Sequence, residues 1–247
     1  MSQRPNFEAA VPVVGIGSSA GGLEALRQMF AAAEVPTGLA FVVVQHLDPH
    51  HQSMLAELLD RHTQLSVRQC EGGEEIEADT VFIIPPGKSL SIDDGRLALK
   101  DFEEPRGLRR PIDDFFISLA NDQNANAACV ILSGTGADGS TGLRAIKENG
   151  GLCVVQEAST AKYDGMPVAA TGTGLVDFVQ PPEQILACIG GFFFAKVKGL
   201  TRRKRQRLQT TSMICALRSA VWSATILQAT SARPLCVGWK DACMSLE

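Results

Sequence analysis

A membrane-spanning helix needs about 20 consecutive apolar residues, and none of the apolar runs in this 247-residue chain is that long. The N-terminus, Met1-Ser2-Gln3-Arg4-Pro5, lacks the apolar stretch of a secretory signal. A soluble, cytoplasmic protein with no direct membrane insertion is expected. Cysteine pairing is missing too. Seven cysteines stand at Cys70, Cys129, Cys153, Cys188, Cys215, Cys236 and Cys243, and no two have the C-x-x-C spacing of a zinc or dithiol site. Cys129 and Cys153 lie inside apolar runs, where a thiol serves as a small hydrophobe. Basic charge is scarce over most of the chain. Residues 1–195 hold 13 basic and 25 acidic side chains, a balance that argues against nucleic acid as partner.

The last 52 residues reverse that balance, with 10 basic and 2 acidic side chains. They hold Trp222, Trp239 and the run Arg202-Arg203-Lys204-Arg205-Gln206-Arg207, and their hydrophobic periodicity is poor. Three readings stay open: a linker with the truncated start of a further domain, a basic interaction tail, or an out-of-frame product. The first and last fit the composition better than a functional tail.

What is present before that point is an alternation of strand and helix patterns. Val11–Ile16 is a short apolar run broken at Gly17 and Gly21-Gly22, and Leu23, Leu26, Met29 and Phe30 follow at helical spacing. Leu39–Val44 is a second β-branched run, and Met54, Leu55, Leu58 and Leu59 again mark a helix. Val81–Ile84, Leu90–Ile92 and Leu97–Leu99 are short strands, with Asp94-Gly95 signalling a hairpin between the last two. Ile112–Leu119 predicts a helix, Ala127–Leu132 a buried strand, and Gly142–Glu148 a helix. Leu152–Gln156 and Val176–Val179 predict strands, Pro167–Thr171 a helical piece, and Pro182–Ile189 a closing helix. The expected fold is a single doubly wound α/β domain with a mostly parallel sheet plus an antiparallel β-hairpin. Its expected organisation is an N-terminal extension over 1–10, the α/β domain over 11–190 and the atypical basic tail over 191–247.

The strongest local signal is Gly17-Ser18-Ser19-Ala20-Gly21, a G-x-S-x-G elbow between a strand and a helix. Small neighbours permit a tight turn that lifts the Ser19 hydroxyl, and the helix N-terminus beyond it offers N–H groups to an oxyanion. The same residues admit another reading. Gly15-x-Gly17-x-x-Ala20 matches a dinucleotide fingerprint, but the second strand ends Val44-Gln45-His46 without the expected acid; Asp48 lies just past it. His46 sits at the C-terminal edge of that strand, where α/β sheets gather functional groups, and suits a general base. His50 and His51 lie in a Pro-flanked loop, and His62 ends a helix. Asp138 is the acid in the glycine-rich loop Ser133–Gly139; it is either the carboxylate that orients His46 or an N-cap for the next helix. Asp113 and Asp114 are weaker candidates because they fall on a helix.

Together these segments resemble the catalytic domain of CheB, the chemotaxis receptor methylesterase, over roughly residues 11–190. The resemblance rests on Ile16–Gly22, Val44-Gln45-His46, Arg110-Pro111-Ile112-Asp113, Leu132–Gly139, Gln156-Glu157-Ala158-Ser159 and Gly165-Met166-Pro167. The order Ser, His, Asp is also the one that family uses, unlike the Ser, Asp/Glu, His order of common α/β-hydrolases. The resemblance implies hydrolysis of glutamyl methyl esters on chemoreceptor cytoplasmic helices, glutamine deamidation in many members, and no metal or organic cofactor. It implies Ser19 as nucleophile, His46 as base then acid, and Asp138 as orienting group. The backbone N–H groups of Ala20 and Thr135 are the implied oxyanion hole. A CheR-type methyltransferase is an implied partner. About ten residues precede the first strand, so the receiver domain of full-length members is not expected and another control or a fused domain would replace it. The acidic body is unlike what docking to acidic receptor helices calls for. A catalytically silent module of the same fold is the alternative.

Overall fold

The computed structural model describes residues 11–46, 54–102 and 109–197. The N-terminal extension, the loop that carries Asp48, His50 and His51, and the basic tail beyond Val197 lie outside the described residues. Within them, β1 (Val13–Ser18), α1 (Gly22–Ala31), β2 (Ala40–Gln45), α2 (Leu55–Asp60), β3 (Ser66–Gln69) and β4 (Thr80–Ile83) come first. A hairpin follows, β5 (Lys88–Asp93) and β6 (Arg96–Asp101), turning at Asp94-Gly95 as the sequence signalled. The chain then resumes its alternation: α3 (Pro111–Gln123), β7 (Ala127–Ile131), α4 (Ser140–Glu148), β8 (Leu152–Gln156), α5 (Gly165–Gly172), β9 (Phe178–Gln180) and α6 (Pro182–Val197).

Seven strands pair in the order β3-β4-β2-β1-β7-β8-β9, every neighbour parallel. The fold is the expected doubly wound sheet with a separate antiparallel ribbon. Strands covered on both faces read as unbroken apolar runs, and β1, β2, β7 and β8 are buried nearly throughout for that reason. Alternate β1 residues face opposite layers. Val14 and Ile16 pack with Leu26, Met29, Phe30, Ile185 and Ile189 from α1 and α6. On the other face α3 presses Ile112, Phe115, Phe116 and Leu119 onto the sheet, beside Leu143 and Ile146 of α4. Burying each such side chain fully contributes about 1.5–3 kcal/mol.

The first crossover, β1-α1-β2, lies on one face and the crossover β7-α4-β8 on the other. The sheet therefore changes winding direction between β1 and β7, and in open α/β sheets a crevice forms outside the strand C-termini at that point. Register keeps the edge level, with Gly17 opposite both Val44 and Ile131 and Ser18 opposite Gln45.

Two departures from the sequence reading have local causes. Strand β3 has no apolar alternation to announce it. It is an edge strand held by its parallel ladder to β4, while Arg68 lies over the Phe82 ring at 4.7 Å. Helix α6 runs past Ile189 to Val197 because Phe193 continues the buried stripe of Ile185, Leu186 and Ile189.

Candidate active site

Three adjacent strands, β2, β1 and β7, deliver His46, Ser19 and Asp138 to the same edge of the sheet. Ser19 follows β1 directly. Its N–H donates to the Ser133 carbonyl at 3.0 Å, which ties the turn to the loop after β7. Gly21, where α1 begins, has φ 75°, a left-handed conformation that favours glycine. A Cβ there would stand 2.8 Å from Ser133 Oγ and 2.9 Å from Lys162 Cβ, so the elbow also needs glycine for space. His46 follows β2, and its N–H donates to the Ser18 carbonyl at 3.3 Å, extending the β1–β2 ladder. Backbone pairing thereby sets the imidazole beside the serine.

His46 Nδ1 lies 3.3 Å from Ser19 Oγ, and Nε2 lies 2.8 Å from Asp138 Oδ2. A carboxylate accepts and does not donate, so the imidazole proton belongs on Nε2 and Nδ1 is left to accept from the Ser19 hydroxyl. The His46 side chain is 34% exposed and that of Asp138 only 8%. The line of three thus runs from solvent into the protein.

Asp138 is held by more than His46. Its Oδ1 accepts from the N–H groups of Asp113 (3.0 Å) and Gly139 (2.9 Å), and its Oδ2 accepts from Ile112 N–H at 3.2 Å. Ile112 and Asp113 lie in the first turn of α3, where N–H groups lack helical partners. Burial works to raise the Asp138 carboxyl. The bonds from His46, Asp113 and Ile112 outweigh it and hold the group below its ordinary value. The capping role anticipated for Asp138 is therefore real but displaced: it serves α3, not the helix α4 that follows it in the chain. Helix α4 is served in turn by Asp113, whose Oδ1 accepts from Thr141 N–H (2.9 Å) and Gly142 N–H (2.7 Å). Burial raises the Asp113 carboxyl, against the Gly142 and Thr141 bonds and with help from the charge of Asp138.

Ser133 was not singled out by sequence, yet it links the two glycine-rich turns. Its hydroxyl donates toward the Ala20 carbonyl (2.9 Å) or the Tyr163 carbonyl (3.2 Å) and accepts from Tyr163 N–H at 3.0 Å. Its own N–H donates to Gln156 Oε1 at 2.8 Å, and Gln156 Nε2 donates to Thr160 Oγ1 at 3.1 Å. Around the serine, the N–H groups of Ser19, Gly22 and Gly134 are occupied by carbonyls of Ser133, Ser19 and Tyr163. Those of Ala20 and Thr135 enter none of these bonds.

The dinucleotide reading meets a physical obstacle. Gly15 and Gly17 lie within β1, not in the turn after it. A Cβ on Gly17 would stand 2.4 Å from Ile112 Cγ2, and one on Gly15 within 3.0 Å of Leu119, Phe115 and Phe116 side-chain atoms. Their lack of side chains lets α3 approach the sheet. Among the described residues, no three or more His, Cys, Asp or Glu side chains cluster as a metal site, and no helix is long and apolar enough to cross a membrane.

The family model for the CheB methylesterase matches residues 14–189, from β1 into α6. The chain belongs to the CheB methylesterase family. Among curated CheB-family relatives, a protein-glutamate methylesterase/protein-glutamine glutaminase of Geobacillus kaustophilus is 36% identical over 197 residues, 76% of this chain and 56% of the relative. A putative enzyme of the same name from Leptospira interrogans is 33% identical over 181 residues, 73% of this chain and 92% of the relative. The chain spans about half the length of the first of these. The crystal structure of the Thermotoga maritima CheB methylesterase catalytic domain superposes with a TM-score of 0.68 at 29% identity, covering 74% of this chain and all of that one. The CheB-family match includes Ser19, His46 and Asp138, and the basic tail lies beyond it.

Proposed function

We propose that this chain hydrolyses methyl esters of glutamate side chains in proteins, with methylated chemoreceptor cytoplasmic helices as substrate. The observation that carries this reading is the hydrogen-bonded line Ser19–His46–Asp138 at the switch point of the sheet. Ser19 Oγ attacks the ester carbonyl as its proton passes to His46 Nδ1. Asp138 holds the imidazole by Nε2–H and stabilises the positive charge that forms. The N–H groups of Ala20 and Thr135, which are not engaged in the bonds around the serine, receive the oxyanion. Collapse breaks the ester C–O bond, and the departing oxygen takes the proton from His46 and leaves as methanol. Water then attacks the acyl-serine, gives its proton to His46, and releases the glutamate carboxylate and the Ser19 hydroxyl. The same steps with ammonia as leaving group deamidate glutamine.

A CheR-type methyltransferase, the class of enzyme that makes such esters, is the proposed functional partner, and the cytoplasm is the proposed location. Residues 11–190 are proposed to form the methylesterase domain, whose closing helix runs on to Val197, with 1–10 an extension and the sequence beyond that helix linker, truncated or out-of-frame. Ser19→Ala is expected to abolish methanol release from methylated receptor, by up to about a millionfold in a triad acting as a unit. Retained release by that variant would overturn the reading.

A further inference from the structure

The two helix N-termini that meet behind the imidazole are capped crosswise. Asp138, from the loop that leads into α4, accepts from the first turn of α3 at Ile112 and Asp113. Asp113, from that first turn of α3, accepts from the first turn of α4 at Thr141 and Gly142. The closure is tight. Gly142 packs so near α3 that a Cβ there would stand 2.8 Å from the Asp113 carbonyl oxygen. Asp113 is buried, and its second carboxylate oxygen, Oδ2, has no hydrogen-bond donor. Arg110 Nη1 stands off at 3.6 Å with its side chain 60% exposed.

We infer that Asp113 is a positioning residue for catalysis: through the crossed caps it fixes Asp138 against His46, and its charge adds to the negative field behind the imidazole. The inference rests on the proposed Ser19–His46–Asp138 chemistry. Two physical points carry it. The Asp138 carboxylate touches His46 through the same oxygen that accepts from Ile112, so a small displacement of the α3 turn relative to the loop moves the base. Each capping side chain sits at the start of one helix and binds the first turn of the other, so neither can slip alone. Asp113 is faced by Asp138 from the β7 loop, with His46 and Ser19 beyond it from β2 and β1. Arg110 faces it from its own helix start, and α4 presents first-turn N–H groups.

The test compares Asp113→Ala and Asp113→Asn with the parent chain, by thermal melting, by the rate at which a fluorophosphonate labels Ser19, and by methanol release against pH. Asp113→Ala removes the acceptor for α4; folded protein is expected to label at least about tenfold more slowly, with kcat lowered and KM unchanged. Asp113→Asn keeps Oδ1 as acceptor and removes the charge. It is expected to restore labelling to within about threefold, while the acid limb of the kcat/KM profile moves down by a few tenths of a pH unit. Parent-like labelling by folded Asp113→Ala would overturn the inference. If Asp113→Ala does not fold, Asp113→Asn decides: a displaced acid limb supports the inference and a superimposable profile overturns it. Labelling separates this from the substrate reading. A parent chain that labels at Ser19 but releases no methanol sinks the proposed function, and the Asp113 comparison is then read from the labelling rate, taken against pH for Asp113→Asn.

Discussion

The turn after β1 and the loop after β7 are both glycine-rich and meet at Ser133, but they are finished in opposite ways. In the first, Ser19 and Ala20 are half-buried, the serine hydroxyl has a 3.3 Å contact with His46, and the Ala20 N–H enters none of the surrounding bonds. In the second, Thr135, Gly136 and Ala137 are exposed, but Asp138 and Gly139 are buried, and two carboxylate oxygens receive four donors. The difference teaches where order is placed. The far end of the line is saturated with hydrogen bonds and cannot reorient. The near end keeps its polar groups available for charge that develops only during reaction, as preorganised catalysis requires.

The most direct way to break the comparison is Asp138→Asn. The asparagine keeps an oxygen for the Asp113 and Gly139 N–H groups and gives up the acceptor for Ile112 N–H, so two of its three backbone bonds and the fold should survive. Its amide nitrogen would then face His46 Nε2. The imidazole must answer with a lone pair there, which puts its proton on Nδ1 and leaves nothing to accept from Ser19. A loss of about ten-thousandfold in kcat is expected, as in other triads trapped in the wrong tautomer. Methanol release and fluorophosphonate labelling should fall together; labelling at the parent rate would mean that Asp138 does not govern the base.

Ser133→Ala tests the joint between the two turns and should have an intermediate effect. It leaves the Tyr163 N–H without the hydroxyl that accepts from it and frees the Ala20 carbonyl. Tyr163 is exposed and the bond only partly buried, so its loss costs about 0.5–1.5 kcal/mol, readable by denaturant unfolding. The Ala20 peptide borders the proposed oxyanion donor, so kcat should drop roughly ten- to a hundredfold with KM little changed. A variant that loses stability but keeps kcat would confine Ser133 to a structural role.

These effects follow from contacts that differ in how far they could be read from sequence. Strand ends and the elbow are local patterns, and alternation announces a parallel sheet, but the order of the strands within it appears only in the structure. The proposed triad was legible because all three residues fall at C-terminal strand edges. The crossed caps were not. Asp113 stands at the third position of a helix that starts with Pro111, and an acid in a first turn already has a sufficient local reason in the helix dipole. Nothing within α3 says that its side chain reaches α4. Ser133 reads as one more small residue of a glycine-rich loop, and its role appears only when Ala20 and Tyr163, far away in the chain, arrive beside it. Gly15 and Gly17 misled in the other direction. A phosphate-binding pattern and a close helix approach both demand glycine, and the short distance to Ile112 distinguishes them only in three dimensions.

The smallest expected effect concerns stability against pH, and it sets the two carboxylates behind the imidazole against each other. Asp138 is held below its ordinary value, so it contributes stability that is complete above the usual carboxylate value near 3.9 and is lost as pH falls through the lowered one. Asp113 is raised, so keeping it charged weighs against the fold, and that penalty is relieved as pH falls through its raised value. On acidification Asp113 therefore takes its proton first and favours the folded state, and Asp138 takes its proton later and disfavours it. Melting curves from pH 7 down to pH 3 should separate the two. Asp138→Asn should melt below the parent at neutral pH and converge with it on acidification. Asp113→Asn should compare most favourably with the parent at neutral pH and lose that advantage at a higher pH than the one at which Asp138→Asn converges. Curves that run parallel to the parent throughout would mean that neither carboxylate changes its proton affinity on folding, and that the saturated end of the line owes its rigidity to packing alone.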